Sequence, residues 1–351
     1  MSHPFTTILL DWFREHRRPL PWRETRDPYA IWLSEVILQQ TRIQQGTAYW
    51  ERFMQRWPSV ESLAAATEDE VLREWQGLGY YSRARNLHAA ARQVVELGHF
   101  PNTMEEIRRL KGVGDYTAAA IGSIAFDLPE AVVDGNVFRV LARHFGIETP
   151  INSTEGKKTF KALAQELLPP SEASAFNQAM MDFGAVQCVP QSPRCMQCPL
   201  AESCVALREG RVEDLPVKLK TLTVKTRHLT YVYLRCQGQT AIRRRGEGDI
   251  WQGLWEPYSP SLPQPLRREG SIESFLINQN FSGRLSLLRS DVKHVLTHRI
   301  LLADFYLLEC DEKPTLPADF IWIPEADIDN YAVPRLVELL LEEVAKRDKS
   351  T

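Results

Sequence analysis

The hydrophobic pattern of the chain changes once, and this change divides the sequence into two unlike parts. Up to about residue 207, apolar residues recur at helical spacing in stretches separated by glycine, proline or short polar turns. No convincing alternation typical of a strand precedes residue 220. Beyond it, short apolar runs typical of strands appear beside helical ones. The sequence therefore predicts an all-α region followed by an α+β region.

The predicted elements define the predicted domains. Helical stretches lie at residues 5–16, 28–54, 60–75, 82–97, 103–110, 115–126, 135–145, 155–168 and 172–186. The predicted strands are Leu229–Cys236, Thr240–Arg244, Leu301–Glu309 and Phe320–Ile323, the later helices are Ser271–Gln279 and Arg335–Lys346, and Pro257, Pro260, Pro263 and Pro265 indicate a loop. We therefore expect a helical domain over residues 1–207, a charged linker over 208–226 and an α+β domain over 227–351.

Size and charge narrow the class of protein. A chain of 351 residues suits two domains better than one core, and 44% hydrophobic with 25% charged residues is typical of a folded protein. Residues 1–226 carry 26 basic and 27 acidic side chains, so this part is no polycation. Contact with nucleic acid must then come from local charges and backbone amides. Without a secretory signal or an apolar run of 18 residues, we expect no membrane segment and a cytoplasmic, bacterial-type location.

Four of the six cysteines fall within 17 residues. Cys188, Cys195, Cys198 and Cys204 follow the spacing C-x6-C-x2-C-x5-C. Close thiolates in a chain without a secretion signal favour a metal centre over disulfides. A single C-x2-C pair in so short a loop suits a 4Fe–4S cluster better than zinc, and the absence of a dinucleotide fingerprint favours a structural role for it. Cys236 and Cys310 stand in apolar stretches and are interpreted as buried small hydrophobes.

A glycine-containing turn joins two predicted helices at Leu110–Ala118. Gly112 and Gly114 allow the backbone amides to crowd together and point outward, and the next helix presents its positive N-terminus. This arrangement binds phosphate without a net positive charge. Taken alone, the fragment is also typical of a plain turn between helices.

Two carboxyl groups could divide the work of cleaving a glycosidic bond. Glu35 lies on an apolar face of a helix predicted over residues 28–41, which should raise its pKa and suit it to donate a proton. Asp134 opens a helix, where free amides and the helix dipole stabilise the ionised form. An oxocarbenium-like transition state needs such a protonated and ionised pair. Taken alone, Glu35 is also typical of an ordinary glutamate paired with an arginine, and Asp134 is typical of an ordinary helix N-cap.

The motifs together resemble one family. They are L-P-W-R at 20–23, S-E-V-I-L-Q-Q-T at 34–41, G-L-G-Y-Y-S-R-A at 77–84, L-K-G-V-G-D-Y-T-A at 110–118, V-D-G-N-V-F-R-V at 133–140, and the cysteine cluster. This order resembles the helix-hairpin-helix DNA glycosylases with an iron–sulfur cluster, and within them the adenine-specific, MutY-type branch. The similarity extends over essentially the whole chain. It implies a base-excision repair enzyme that removes adenine mispaired with 8-oxoguanine or guanine in double-stranded DNA.

The resemblance also implies roles for individual residues. Glu35 would protonate the departing adenine and Asp134 would stabilise the oxocarbenium ion, with Tyr116 and Asn136 in support. The base pocket and the wedge that fills the vacated stack would use Arg18, Trp22, Arg23, Gln40, Leu78 and Tyr80. Gln178 stands where some family members have a glutamate that contacts adenine. Arg194 would bind phosphate. Related pyrimidine-specific enzymes have a lysine at the position of Tyr116, so the resemblance implies a glycosylase without lyase activity.

The second domain resembles the Nudix-like module with which such enzymes read 8-oxoguanine. The sequence has no acidic Nudix box, so pyrophosphatase activity is not expected. The family's F-S-H triplet corresponds to Leu296-Thr297-His298, where Thr297 keeps the hydroxyl and His298 is retained, and Ile250–Trp255 also fits the module. We expect a monomer. The alternatives are a bifunctional glycosylase and lyase, which Tyr116 disfavours, and a non-enzymatic damage sensor, which the two carboxyl groups disfavour.

Overall fold

The computed structural model describes residues 3–220, 224–260, 269–310 and 312–350, and the chain forms two compact units. The first comprises Met1–Ala65 and Asn86–Lys220, and the second comprises Ala66–Arg85 and Thr221–Thr351. A short piece of the helical region thus belongs to the second unit, while the domain division at residues 207 and 227 stays a prediction. Within the described ranges, the helices are too short or too polar to span a bilayer.

The region before residue 220 is helical, as predicted. Its α-helices are α1 Pro4–His16, α2 Pro28–Leu38, α3 Ile43–Arg56, α4 Val60–Ala65, α5 Glu68–Glu74, α6 Ser82–Leu97, α7 Met104–Arg109, α8 Asp115–Phe126, α9 Gly135–Phe145, α10 Thr154–Leu167, α11 Ala173–Asp182 and α12 Val205–Arg208. A 3-10 turn covers Pro21–Arg23, and a π-helical turn, Phe183–Gln187, follows α11.

Two of the predicted helical stretches are each divided into two helices. The helix expected over residues 28–41 ends at Leu38, because Gln39 leaves the helical conformation (ψ 112°), and Gln40 after it is left-handed (φ 57°). The stretch over 60–75 is broken at Thr67, whose side chain forms a capping box with Glu70 and begins α5. Helical periodicity correctly predicted helix in both stretches, but it did not predict the interruptions after Leu38 and at Thr67.

The core of the first unit lies among α1, α9, α10 and α11. Each of these helices contributes a fully buried side chain to this core, in the order Leu9, Leu141, Phe160 and Phe176. Leu215, from the segment predicted to be a linker, is buried in the same core. Its carbonyl accepts a hydrogen bond from Arg143 Nε at 3.0 Å. The first part of that segment is thus packed on the helical unit.

The second unit contains one mixed sheet. Its strands are β1 Lys225–Cys236, β2 Gln239–Arg244, β3 Trp255–Pro257, β4 Arg284–Val295, β5 Arg299–Glu309 and β6 Phe320–Pro324, and its later helices are α13 Glu269–Asn278 and α14 Arg335–Ser350. The order is β3-β2-β1-β5-β4, with β6 also paired to β2. β1 and β5 are parallel, and the other pairs are antiparallel.

Both faces of this sheet are covered by helices. Tyr231 of β1 belongs to the same core as Leu336 of α14, whereas the next residue, Val232, packs with Ile272 of α13. Packing on both faces explains why residues 229–234 of β1 are all buried, without the alternation of a strand that has one exposed face. Cys236 and Cys310 are buried, which confirms their interpretation.

The sequence did not predict β3 and β4. β3 has only three residues, and β4 is an edge strand with many exposed polar side chains. Irregularities near Arg289 interrupt its pairing with β5, so its residues do not alternate regularly. Of the predicted proline loop, Pro257 lies at the end of β3 and Pro260 follows it, whereas Pro263 and Pro265 lie outside the described residues.

Candidate active site

A cavity of about 610 Å³ in the first unit collects most of the residues predicted for catalysis and base binding. Its lining includes Arg18, Trp22, Arg23, Glu35, Gln40, Tyr116, Asp134 and Asn136. These side chains come from the 3-10 turn and its approach, from α2 and the turn after it, and from the N-terminal ends of α8 and α9. A concave site of this size with convergent polar groups is typical of small-molecule and base pockets.

Glu35 is held within a helix that is buried on nearly every side. Asp27 caps α2 by accepting a hydrogen bond from the Tyr29 amide at 3.0 Å. Glu35, two turns later, is only 8% exposed. Burial raises its pKa from 4.5 to about 7, against the hydrogen bond from Tyr116, and the charge of Asp134 also raises it. Such a carboxyl group retains a proton near neutral pH, as the sequence predicted.

Tyr116 contacts this carboxyl group directly. It lies in the first turn of α8, and its hydroxyl donates a hydrogen bond to Glu35 Oε2 at 2.8 Å. Burial, together with the neighbouring carboxylates Glu35 and Asp134, raises the pKa of Tyr116 well above its ordinary value. The phenol therefore stays protonated and serves as a donor that favours the ionised form of Glu35.

Asp134 is the N-cap of α9, as predicted. Its Oδ1 accepts from the amides of Asn136 at 2.9 Å and Val137 at 2.8 Å, and its Oδ2 accepts from Asn136 Nδ2 at 2.8 Å. Burial raises the pKa of Asp134, and these hydrogen bonds oppose the rise. The sequence predicts only the effect of the helix terminus on this carboxyl group, whereas the structure adds the cost of burial.

A second layer of hydrogen bonds fixes Asn136. Arg139 Nη2 donates to Asn136 Oδ1 at 2.9 Å and to the Gly184 carbonyl at 2.6 Å, and its Nε donates to the Cys188 carbonyl at 2.8 Å. A Cβ atom at Gly184 would lie 2.6 Å from Asn136 Cβ, so only glycine allows this close approach. Arg139 belongs to the V-D-G-N-V-F-R-V motif at 133–140, but the sequence did not predict a role for it.

The arginines of the cavity wall share a buried partner. Asp182, the last residue of α11, accepts hydrogen bonds from both Arg18 and Arg23. Trp22, between them in the chain, is buried and packs edge-on against Trp50 with ring centroids 5.8 Å apart. The sequence did not predict a role for Asp182, because no local pattern relates it to residues about 160 positions earlier.

The predicted hairpin is present between α7 and α8. Gly112 has φ 76°, and a Cβ there would lie 2.6 Å from the Asn86 side chain, so both conformation and space require glycine. At Gly114, which caps α8, a Cβ would meet no atom of the described chain within 4 Å. The backbone is therefore open at the N-terminus of α8, where an anion is favoured.

The four clustered cysteines line one small cavity of about 30 Å³. Arg143 lies beside them, with Nη1 3.5 Å from Cys188 Sγ. Arg143 also donates to the carbonyls of Val189 and Pro190, which fixes the loop around the cavity. Convergent thiols with an adjacent cation fit the thiolates and negative charge of an iron–sulfur cluster.

Two predicted contact residues of the first unit lie outside the Glu35 cavity. Gln178 is buried in α11, where its Nε2 donates to Ser174 Oγ at 3.0 Å, and its Oε1 has no partner among the described residues. Arg194 is exposed, and its carbonyl accepts from Gln187 Nε2 at 2.7 Å. Their roles toward adenine and phosphate stay predictions.

A second cavity, of about 680 Å³, lies within the second unit. It brings together Leu78 and Tyr80 from the G-L-G-Y-Y segment with Thr297 and His298 from the turn between β4 and β5. Tyr80 has φ 48° and is 47% exposed, and its hydroxyl hydrogen-bonds to that of Thr297. Trp251, also on this cavity, has φ 61°. Bulky residues in this conformation are strained and often mark ligand sites.

Three family models match separate parts of the chain. The model of the HhH-GPD superfamily base excision DNA repair proteins matches residues 33–170, and that of the NUDIX domain matches residues 230–343. The iron-sulfur binding domain of endonuclease III matches residues 188–204, which begin and end at cluster cysteines. The protein thus carries a 4Fe–4S cluster, which Cys188, Cys195, Cys198 and Cys204 would hold.

Whole-chain relatives and solved structures agree with these matches. The adenine DNA glycosylase of Mus musculus is 45% identical over 94% of this chain and 75% of that protein. The adenine DNA glycosylase of Buchnera aphidicola subsp. Baizongia pistaciae is 32% identical over 85% and 84%. A thermostable thymine-DNA glycosylase structure matches with a TM-score of 0.55 and 32% identity, over 58% of this chain and 95% of that one. The chain therefore belongs to the adenine DNA glycosylases, DNA-binding enzymes of base excision repair.

Proposed function

We propose that this glycosylase hydrolyses the N-glycosidic bond of adenine opposite 8-oxoguanine or guanine in duplex DNA, and leaves the strand uncut. The observation that carries the proposal is the buried Glu35, bonded to Tyr116 and placed in one cavity with Asp134. A carboxyl group that titrates near neutral pH can donate a proton at the pH of the cell. We also propose that the protein acts as a monomer, because Glu35, Tyr116 and Asp134 line one cavity within a single unit.

In the proposed mechanism, the two carboxyl groups act in sequence. Glu35 donates its proton to a ring nitrogen of the flipped adenine, and the C1′–N9 bond breaks with its electron pair passing to the base. Asp134 stabilises the positive charge that develops on the sugar. Water then adds to C1′ and gives its proton to the Glu35 carboxylate. The hydrogen bond from Tyr116 favours that carboxylate once the first proton has left.

Asn136 and Arg139 support Asp134 in this mechanism. Asn136 Nδ2 occupies one lone pair of the Asp134 carboxylate, and Arg139 fixes the amide by bonding its oxygen. These contacts orient the carboxylate before substrate arrives, so little reorganisation is required during the reaction. At position 116, a phenol cannot form an imine with the sugar, which supports hydrolysis without strand cleavage.

DNA contact would combine phosphate binding with base flipping. The open backbone at Gly114 and the N-terminus of α8 would bind phosphate, with Arg194 as a further contact. Gln40 is exposed at the rim of the Glu35 cavity. It lies in the turn after α2 and has a left-handed backbone conformation. Gln40 would contact the space that adenine leaves in the stack. The wedge role of Leu78 and Tyr80 is proposed from the family resemblance.

The second unit would read the base opposite adenine. In its cavity the hydroxyl of Tyr80 hydrogen-bonds to that of Thr297, and His298 also lines the cavity. A hydroxyl and an imidazole can exchange hydrogen bonds with the edge of a purine, and an exposed phenol can stack on it. This grouping supports recognition of 8-oxoguanine by the second unit.

The specificity is tested by single-turnover excision from three duplexes that differ only opposite adenine. The proposal predicts that 8-oxoguanine and guanine support excision, with 8-oxoguanine preferred, and that thymine does not. Equal rates opposite guanine and thymine would contradict it.

Replacement of both Thr297 and His298 by alanine should reduce the preference for 8-oxoguanine over guanine by roughly fivefold to 150-fold. Loss of hydrogen bonds to a base edge is worth about 1–3 kcal/mol. The ratio of single-turnover rates on the two duplexes measures the effect. The exposed Thr315→Ala is the matched control in the same unit. A variant with the wild-type ratio would remove the reading role from this turn.

Replacement of Tyr116 by phenylalanine should extend activity to higher pH while lowering the maximal rate. The tyrosine hydroxyl donates to Glu35 and lowers the pKa of that carboxyl group. Without it the pKa of Glu35 rises further, so the protonated form persists to higher pH, whereas the carboxylate needed later is less stable. The midpoint of the alkaline limb of the pH–rate profile measures this shift. A limb that moves to lower pH would show that Tyr116 does not act through Glu35.

A further inference from the structure

Asp182 makes an unusually complete set of contacts with two residues of the cavity wall. Its carboxylate accepts from Arg18 N at 3.2 Å and from Arg18 Nε at 2.8 Å, and Arg18 Nη2 is also bonded to it. Arg23 donates through Nη1 at 2.7 Å and through Nη2 at 2.8 Å. A single carboxylate thus forms more than one hydrogen bond with each of two guanidinium groups. Such bidentate contacts fix the orientation of both groups.

The Asp182 carboxyl group is ionised although the cluster is buried. The Asp182 side chain is 0% exposed, and the side chains of Arg23 and Arg18 are 6% and 25% exposed. Although burial opposes it, hydrogen bonds from Arg23 and Arg18 hold the pKa of Asp182 below its ordinary value. A buried guanidinium without its partner would be strongly unfavourable. The three groups therefore carry a net charge of one positive unit.

The cluster lies behind the wall of the Glu35 cavity. Arg18 and Arg23 line the cavity, whereas Asp182 is absent from its described lining. The side chains that shift the pKa of Glu35 include Tyr116 of α8, Asp134 at the start of α9 and Arg23 of the 3-10 turn, and Arg18 lines the same cavity. Asp182, at the end of α11, contacts the cavity wall through these two arginines.

We propose that Asp182 is a positioning residue that holds the guanidinium groups of Arg18 and Arg23 in the cavity wall and offsets half of their positive charge beside Glu35. This inference rests on the proposed function, because it takes excision to occur in this cavity. Fixed guanidinium groups would present their remaining donors to the acceptor atoms of the flipped base. The offset charge lets Glu35 keep its proton near neutral pH.

The charge balance predicts shifts of opposite sign in two variants. Asp182→Asn leaves two positive charges in the wall, so Glu35 should ionise at lower pH. Arg18→Gln leaves one positive and one negative charge, so Glu35 should ionise at higher pH. Each shift should be on the order of 0.5–1 pH unit. The double variant restores the wild-type charge and should return the limb toward its wild-type position.

The test is the alkaline limb of the single-turnover pH–rate profile for adenine excision by the full-length protein. The control is Asp127→Asn, which breaks the exposed ion pair with Arg26 in the same unit and should leave the limb unchanged. A merely structural role would lower the rate or the thermal stability without moving the limb in opposite directions. Limbs that move in the same direction, or do not move, would overturn the proposal.

Two outcomes keep this test separate from that of the proposed function. If wild-type protein excises no adenine from the mispaired duplexes, the proposed function fails first. If wild type is active but the opposite shifts are missing, only the role of Asp182 fails. If Asp182→Asn does not fold, the Arg18→Gln variant tests the proposal by itself. In that variant Asp182 and Arg23 carry opposite charges, so the proposal still predicts that the alkaline limb moves to higher pH. An unchanged or lowered limb in that variant would overturn the proposal.

Discussion

Replacement of Glu35 by glutamine is expected to slow adenine excision by about 10²–10⁴-fold while leaving duplex binding largely intact. Glutamine is nearly isosteric and can still accept the hydrogen bond that Tyr116 donates to Glu35. It cannot donate a proton as a carboxylic acid does, so the base must leave as an anion. Single-turnover excision and equilibrium binding to an A·8-oxoguanine duplex measure the two effects separately.

The matched control for this variant is Glu155→Gln. Glu155 is an exposed residue in the first turn of α10, away from the cavity, so its replacement should leave excision unchanged. An excision rate in Glu35→Gln within a factor of a few of wild type would remove Glu35 from the acid role.

Replacement of Asp134 by asparagine should reduce excision by about 10²–10³-fold with little loss of stability. Asparagine is as good an N-cap as aspartate, so the amides of Asn136 and Val137 keep their acceptor. The negative charge that would stabilise the oxocarbenium ion is lost, and the new amide group faces the Asn136 side chain in place of an acceptor. Single-turnover rates and thermal unfolding separate chemistry from stability.

Asp27→Asn makes the same change at a helix N-cap that does not line the Glu35 cavity. Asp27 caps α2 through the Tyr29 amide, so this variant reports the cost of altering a cap alone. Its excision rate should equal that of wild type. If Asp27→Asn and Asp134→Asn slowed excision equally, Asp134 would be a structural cap and no more.

Local signals explain which parts of the site could be predicted from the sequence. Asp134 stands immediately before a helical stretch, and Gly112 and Gly114 lie between two such stretches, so each position is marked by its neighbours in the chain. The apolar residues around Glu35 likewise predict its burial. The roles of Trp22 and Gln40 came only from the family resemblance, since neither residue belongs to a pattern with one chemical meaning.

Contacts between distant segments explain what was missed. Asp182 meets Arg23 across 159 positions, and Arg139 meets the Cys188 carbonyl across 49, and neither pair has a local signature. The division into units shows the same limit. Helical periodicity predicts that residues 66–85 belong to the first domain. In the structure they belong to the second unit, where Tyr80 hydrogen-bonds to Thr297, because tertiary contacts decide which unit a segment joins.

The most direct test of the account is a duplex with a labelled adenine strand opposite 8-oxoguanine, incubated with the full-length protein and then divided. One half is treated with hot alkali, which cuts the strand wherever a base has been removed, and the other half is left untreated. The account predicts cleaved strand only in the treated half, with none from the Glu35→Gln variant. Cleavage without alkali would indicate a lyase, and an intact strand in both halves would indicate a protein that binds damage without excising adenine; either result would contradict the account.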